Sequence, residues 1–283
     1  TLLLFQQTTT DAEYSRYNIE WNGTSEFFSR LEAYHGTEVK ECIAIQDERD
    51  SVLFIIAPTR PFTPVEIEAL KGYLAGGNTI FLADESFAGN LLLAALDSSI
   101  RISGQNLSSI EREYQNPALI LAKSRTEHPL LEGVDTLLLN HPAALTGGET
   151  LVASTLLSWI DEDGNQQINE GEKMGRSVIL ARETLGGGEV LVLSDPSIFI
   201  NGMTGLEKSR DNERFIDNLL ILHPHLFIEQ AHTSTGTSGL VIDIRERIQK
   251  ANVFKLLLLT VIIGLLVIAQ RVSHGGLHGH ERN

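Results

Sequence analysis

Apolar residues gather in short runs separated by turn signals. Ser51–Ala57 (SVLFIIA), Thr79–Ala83 (TIFLA) and Glu189–Ser194 (EVLVLS) are almost wholly apolar, which suits strands buried on both faces. Between the first two, Thr63-Pro64-Val65-Glu66 reads as a helix start, with Thr at the cap, Pro at the first position and Glu three residues on. That helix runs to about Ala75, where Gly76-Gly77 stops it. Helical spacing also predicts Gly23–His35, capped by Thr24, with Phe27, Phe28, Leu31 and Tyr34 on one side. It further predicts Gly89–Leu96, and Asp211–Leu222 with Phe215, Ile216, Leu219 and Leu220 inward. A strand–helix–strand–helix series with short connections is the pattern of a parallel α/β sheet. The middle is less regular. Leu119–Ala122, Thr136–Leu139 and Leu151–Trp159 read as strands of a mixed or extended sheet, and Ser177–Arg182 turns into Glu189–Ser194 through Gly186-Gly187-Gly188.

A different pattern closes the chain. Val253–Ala269 (VFKLLLLTVIIGLLVIA) is apolar without a polar stripe, and Lys255 is its sole charge. At 1.5 Å per residue it reaches about 26 Å, the short end for a membrane span, so a transmembrane helix is expected here rather than a core helix. The opening TLLLF before QQTTTD reads as the tail of another apolar segment. The organisation expected is therefore a membrane-segment remnant at 1–10, an α/β domain at 11–228, a Gly/Ser/Thr-rich linker at 229–240, a juxtamembrane and transmembrane helix at 241–270, and a tail at 271–283. Arg245, Arg247, Lys250 and Lys255 before the span favour a cytoplasmic domain. The sequons at Asn22 and Asn106, with the calcium-type loop below, favour an extracytoplasmic one at the cell membrane, which is the placement expected.

Charge and cysteine content narrow the function. Lys and Arg number 22 against 37 Asp and Glu, a net charge of −15, which repels phosphate backbones and excludes a nucleic-acid binder. The single cysteine, Cys42, excludes an intrachain disulfide and a multi-thiolate zinc site.

Two stretches resemble a known superfamily. The run SVLFIIAPTRPFTPVEIEALKGYLAGGNTIFLADES resembles the flavodoxin-like half of class I glutamine-amidotransferase-like domains, and GGGEVLVLSDPSIFINGM…DNERFIDNLL resembles their closing strand, Asp turn and last helix. YSRYNIEWNGTSEFF and ADESFAGNLLLAAL are similar to a membrane-anchored, mostly archaeal branch of unknown function, related to accessory proteins of gliding-motility-type ABC transporters. The resemblance implies a mainly parallel sheet with helices on both faces, and a role beside a transporter or envelope assembly. It also locates the elbow that carries cysteine in true amidotransferases. Here that elbow is Asp84-Glu85-Ser86, without a cysteine or a later His–carboxylate pair, so amidotransfer is not expected. Ser86 lacks the small flanking residues of a nucleophile elbow.

Ligands of open α/β sheets sit at the carboxyl ends of strands. Asp84, Glu85, Ser86 and Asn90 follow one strand, Asp195, Ser197 and Asn201 another, and Asp211 and Asn212 open the last helix. They form either a degenerate pocket for a small polar ligand or a set of caps and turns. Asp161–Glu172 (DEDGNQQINEGE) fits the twelve-residue calcium loop, with Asp161, Asp163, Asn165, the Gln167 carbonyl, Asn169 and Glu172 as ligands and Ile168 as the tether to the core. Gln166 departs from it by standing where a sharp turn favours glycine; the alternative is an acidic, solvated hairpin tip. The tail histidines His274, His278 and His280 offer a weaker metal motif. The function expected is a non-catalytic, membrane-tethered domain that binds a ligand or protein partner and carries structural calcium. The alternative is a hydrolase using the strand-end acids.

Overall fold

The computed structural model describes residues 10–111, 113–204, 210–237, 260–263 and 265. Within Thr10–Thr237 the elements are, in chain order, α1 (Ser25–Ala33), β1 (Thr37–Val39), β2 (Ser51–Ile56), α2 (Pro64–Ala75), β3 (Thr79–Ala83), α3 (Phe87–Ala95), β4 (Arg101–Ser109), β5 (Leu119–Ser124), β6 (Thr136–Asn140), β7 (Ala143–Thr146), β8 (Glu149–Ser154), β9 (Ser158–Ile160), β10 (Val178–Leu185), β11 (Gly188–Leu193), α4 (Asn212–Ile221) and β12 (His225–Glu229). Helix α2 starts on the expected capping box. The Thr63 side chain accepts from the Glu66 N–H, and Glu66 Oε2 accepts from the Thr63 N–H at 2.8 Å. At α1 the Thr24 hydroxyl instead donates to the Tyr14 carbonyl at 2.7 Å, tying the N-terminal turn to the helix.

The twelve strands form one mixed sheet, whose main path is β1-β12-β2-β3-β11-β10-β7-β4-β9, with β8 joining β10 to β5 and β6 pairing β5. Pairings from β1 to β11 are parallel. Every pairing beyond β11 is antiparallel. The expected mainly parallel, flavodoxin-like or amidotransferase-like sheet is thus corrected: the parallel part is one side of a larger, mostly antiparallel sheet. The reason lies in the connections. Parallel neighbours need a crossover of a dozen or more residues, usually a helix. Between α3 and α4 the chain forms no α-helix among its described residues to make such a crossover, and strands β4 to β10 pair antiparallel, several with strands distant in sequence. Strands β10 and β11 close a two-residue hairpin at Gly186-Gly187, with Gly186 at φ +63°, as a type II′ turn requires. The stretch expected as one strand, Leu151–Trp159, breaks into β8 and β9, which pair with different neighbours.

Alternation along the parallel strands feeds two cores. Val52, Phe54 and Ile56 of β2, with Phe81 of β3, face Phe27 of α1 and Phe215 of α4. Leu53 and Ile55, with Ile80 and Leu82, face Leu70 and Tyr73 of α2 and Leu93 of α3. Ring contacts bind the first core, with Phe27 and Phe199 centroids 4.7 Å apart and Phe54 and Phe81 6.0 Å apart. Strand β12 lies between β1 and β2, and residues 229–237 belong to the same unit, with Glu229 and Thr235 fully buried.

Of residues 1–9 and 238–283, the structure describes only 260–263 and 265. The expected N-terminal membrane remnant and tail lie outside the described residues, apart from Thr10. Of the expected span Val253–Ala269, residues 260–263 and 265 are helical and the rest lies outside the described residues. Among the described residues no helix is long and apolar enough to cross a membrane. The expected transmembrane helix is corrected to that extent, and the membrane location expected from it has no helix of the described residues behind it.

Candidate functional site

Strands β2, β3 and β11 end side by side, and the chain leaves each through a polar turn. After β3, Asp84 accepts from the Ser86 N–H at 3.0 Å, the Ser86 hydroxyl at 2.9 Å and the Gly89 N–H at 2.6 Å. Ser86 in turn caps α3. After β11, the fully buried Asp195 accepts from the N–H groups of Asn140 and Ser197, both at 2.7 Å. The other expected ligand residues hold neighbouring elements. Asn90 clamps the Ile102 backbone, donating to its carbonyl and accepting from its N–H, both at 2.8 Å. Asn201 accepts from the Glu26 N–H at the start of α1 and donates to the Asn18 and Glu20 carbonyls. Asp211 accepts from the Asp135 and Thr136 N–H groups, and Asn212 grips the Leu138 N–H and carbonyl.

Glu85 stands apart. It lines a cavity of about 150 Å³ with Tyr14, Ala57, Asp84, Ser86 and Pro196, and its Oε2 is buried without a hydrogen-bond partner. Burial, then the charges of Asp195, Asp84 and Glu13, push its carboxyl up to about 8. Burial also pushes Asp195 up to about 6 against its two N–H donors. Tyr14 and Ala57 both sit at positive φ, 59° and 49°, the kind of backbone strain that collects at functional sites. The Tyr14 hydroxyl lies 3.1 Å from Ser197 Oγ, and burial, then Glu85, raise its phenol far above its ordinary value. Neither Tyr14 nor Ala57 carries a sequence signal for this place; the fold brings them across from distant segments.

On the antiparallel side, the loop after β9 wraps on itself. Asp161, Asp163 and Glu172 each place a carboxylate oxygen within 4.8 Å of the others. Asp161 Oδ2 accepts from the Gln166 N–H at 2.8 Å and the Ser108 hydroxyl at 2.9 Å. Glu172 accepts from the Glu162 N–H at 2.8 Å and the Asn169 N–H at 2.7 Å. Asn165 and Asn169 donate their amides to Asp163 Oδ2, both at 2.9 Å. Burial pushes Asp161 up, but donors led by the Gln166 N–H outweigh it and hold the carboxyl below its ordinary range. Gln166 takes φ +60°, the left-handed turn the sixth position needs. The Gln167 side chain is exposed, and the expected tether Ile168 is corrected: it is 44% exposed, not set in the core.

Three of the histidines have structural partners. His223 Nε2 lies 2.8 Å from Thr79 Oγ1, and His128 Nε2 lies 3.8 Å from Glu189. His232, absent from the sequence expectations, sits between Glu229 at 2.9 Å and Glu66 at 3.4 Å and stacks on Phe62. His274, His278 and His280 lie outside the described residues. Cys42 is buried; desolvation, then Glu229 and Glu66, push its thiol up to about 12, which leaves it inert at neutral pH.

The family described as Domain of unknown function (DUF4350) matches residues 16–220, well over half of the chain. The chain belongs to this family. The match covers the whole of the 161–172 loop and the strand-end cavity residues from Ala57 to Pro196, but not Tyr14 or Ser234. No functionally curated protein matches the chain. Among solved structures it is similar to the "mmIFT52 N-terminal domain", at 18% identity and a TM-score of 0.45, over 59% of this chain and 74% of that one. It is also similar to a β-galactosidase from Bacillus circulans sp. alkalophilus, at 11% identity and a TM-score of 0.39, over 69% of this chain but 26% of the enzyme. A cytoplasmic protein from Salmonella typhimurium LT2 matches at 11% identity and a TM-score of 0.39, over 71% of this chain and 85% of that one.

Proposed function

We propose that this DUF4350 domain is a non-catalytic binding module stabilised by calcium, with the metal in the 161–172 loop and a small ligand in the strand-end cavity beside Glu85. The convergence of Asp161, Asp163 and Glu172 around one point, with Gln166 already in the left-handed turn, carries the reading. A hard cation wants about 6–8 oxygens, and Asn165, Asn169 and the Gln167 carbonyl would supply the rest. A non-catalytic role is supported by the engagement of Asp84, Ser86 and Asp195 in backbone bonds and caps, which occupies these three of the strand-end groups.

The test is thermal melting of the full chain in calcium, in magnesium and in chelator, beside Asp161→Ala and Glu172→Ala. A lone loop of the extracellular-module class binds calcium with Kd of about 0.1–1 mM. At tenfold to hundredfold excess that stabilises by about 1.4–2.7 kcal/mol, a rise of several degrees. A rise in calcium that both variants abolish is expected. An unchanged melting temperature at saturating millimolar calcium would overturn the metal assignment.

A further inference from the structure

The turn before α1 holds large apolar side chains in solvent. Ile19 is 55% exposed and Trp21 is 66% exposed. Their backbone is pinned from two sides. The Gly202 N–H donates to the Trp21 carbonyl and the Asn201 N–H to the Gly23 carbonyl, both at 2.7 Å. The Asn201 side chain donates to the Asn18 and Glu20 carbonyls. The fully buried Asn18 donates to the Ala12 carbonyl at 3.0 Å and to Asn22 Oδ1 at 2.9 Å. The charge around this turn has one sign. Residues 10–26 hold four acids, Asp11, Glu13, Glu20 and Glu26, all exposed, and one base, Arg16. Arg16 is taken up by Glu32 and Glu38 and lies over the Tyr17 and Phe28 rings. Glu26 is brought to the turn by residues 201–204: its N–H donates to Asn201 Oδ1 at 3.0 Å, and Oε2 accepts from the Thr204 hydroxyl at 2.6 Å.

We infer that this turn docks a basic segment of another protein, one that carries Lys or Arg beside an apolar residue. Trp21 is the anchor. Tryptophan is among the residues that dominate interface energies, and its ring face attracts an ammonium or guanidinium group. Glu20 and Glu26 supply the opposite charge for the flanking bases, and a chain charge of −15 steers a basic partner inward. The pinned backbone lowers the ordering cost on this side of the contact. The same acids disfavour the other occupants. A second copy of this chain brings its own charge of −15, and an anionic lipid surface or a phosphorylated peptide is repelled in the same way. Neither Glu85 nor the 161–172 loop takes part in the contact.

The full chain is panned against a random dodecapeptide library displayed on phage, in chelator and at physiological salt. Enriched peptides are then made with a fluorescent label and titrated by anisotropy. Enrichment of basic peptides that also carry an apolar residue is expected. Trp21→Ala should weaken their binding about tenfold or more. Glu20→Gln should weaken it about threefold, and high salt should weaken it further. Glu68→Gln removes the same charge from an exposed site on α2, which packs on the other core, and should leave the affinity unchanged. The emission lost in Trp21→Phe belongs to Trp21; it should be quenched by acrylamide in the free chain and protected by bound peptide. This second readout holds even where Trp21→Ala fails to fold. No enrichment, enrichment of neutral or acidic peptides, or equal affinity in folded Trp21→Ala would overturn the proposal. Protection of Trp21 in the free chain would overturn it too, because another segment of the same chain would then cover the ring.

Discussion

Glu85→Gln isolates the most perturbed carboxyl of the strand-end cavity. Below its ordinary value of 4.5, Glu85 is neutral in the folded and unfolded chains alike. As pH rises, the unfolded chain ionises first while the folded chain keeps its proton up to about 8. The unfolded state therefore binds fewer protons across this window, and stability falls as pH rises. At about 1.4 kcal/mol per unit, the loss reaches about 3 kcal/mol at pH 7 and about 4–5 kcal/mol above pH 8. Gln has the same shape and no charge to bury, so the variant escapes this loss. Urea unfolding of both proteins from pH 5 to pH 9 should give similar stabilities at the acid end and a gap that widens in favour of the variant with rising pH. Parallel curves across the range would refute the reasoning, because Glu85 would then be ionising at an ordinary value. Bound ligand that accepts a hydrogen bond from the neutral acid would narrow the gap, which makes the same curves an assay for the cavity.

Other perturbations follow from particular contacts. Gln166→Gly relieves a left-handed residue at φ +60° and should stabilise the metal-free chain by about 1 kcal/mol and tighten calcium binding, read by melting and by calcium titration. Asn212→Ala leaves the buried N–H and carbonyl of Leu138 without their side-chain clamp, on a strand that pairs with β5 alone among the named strands, and should cost about 2–4 kcal/mol in urea unfolding. Thr63→Ala removes half of the α2 capping box and should cost about 1 kcal/mol by the same measurement.

Some of this protein could be read from its residues. Runs such as TIFLA and SVLFII have one stable solution, a strand covered on both faces, and Thr63-Pro64-Val65-Glu66 writes a helix start in local hydrogen bonds alone. The calcium-type loop is legible for the same reason: its donors recur at fixed spacing within twelve residues, so the chain itself brings Asp161, Asp163 and Glu172 together. Strand β12 was hidden by its short, partly polar sequence, HLFIE after His223-Pro224. Strand β4, RISGQNLSS, lacks the apolar run or clean alternation that marks a strand.

Direction of pairing was a tertiary decision. A run of apolar residues says that a strand is buried, but whether its neighbour runs parallel depends on how the chain returns, and without a crossover helix among the described residues from β4 to β10 the larger part is antiparallel. The strand-end polar residues likewise read as caps or as ligands; only the folded chain shows Asp84, Asp195, Asp211 and Asn212 tied to backbone groups and leaves a buried oxygen of Glu85 without a partner. Tyr14 and Ala57 join Glu85 across separations no local pattern encodes. Sequence determined the local elements and the metal-type loop because short-range geometry suffices for them. The strand-end cavity and its perturbed groups came from tertiary structure, because burial and the meeting of distant segments exist only once the sheet has closed over them.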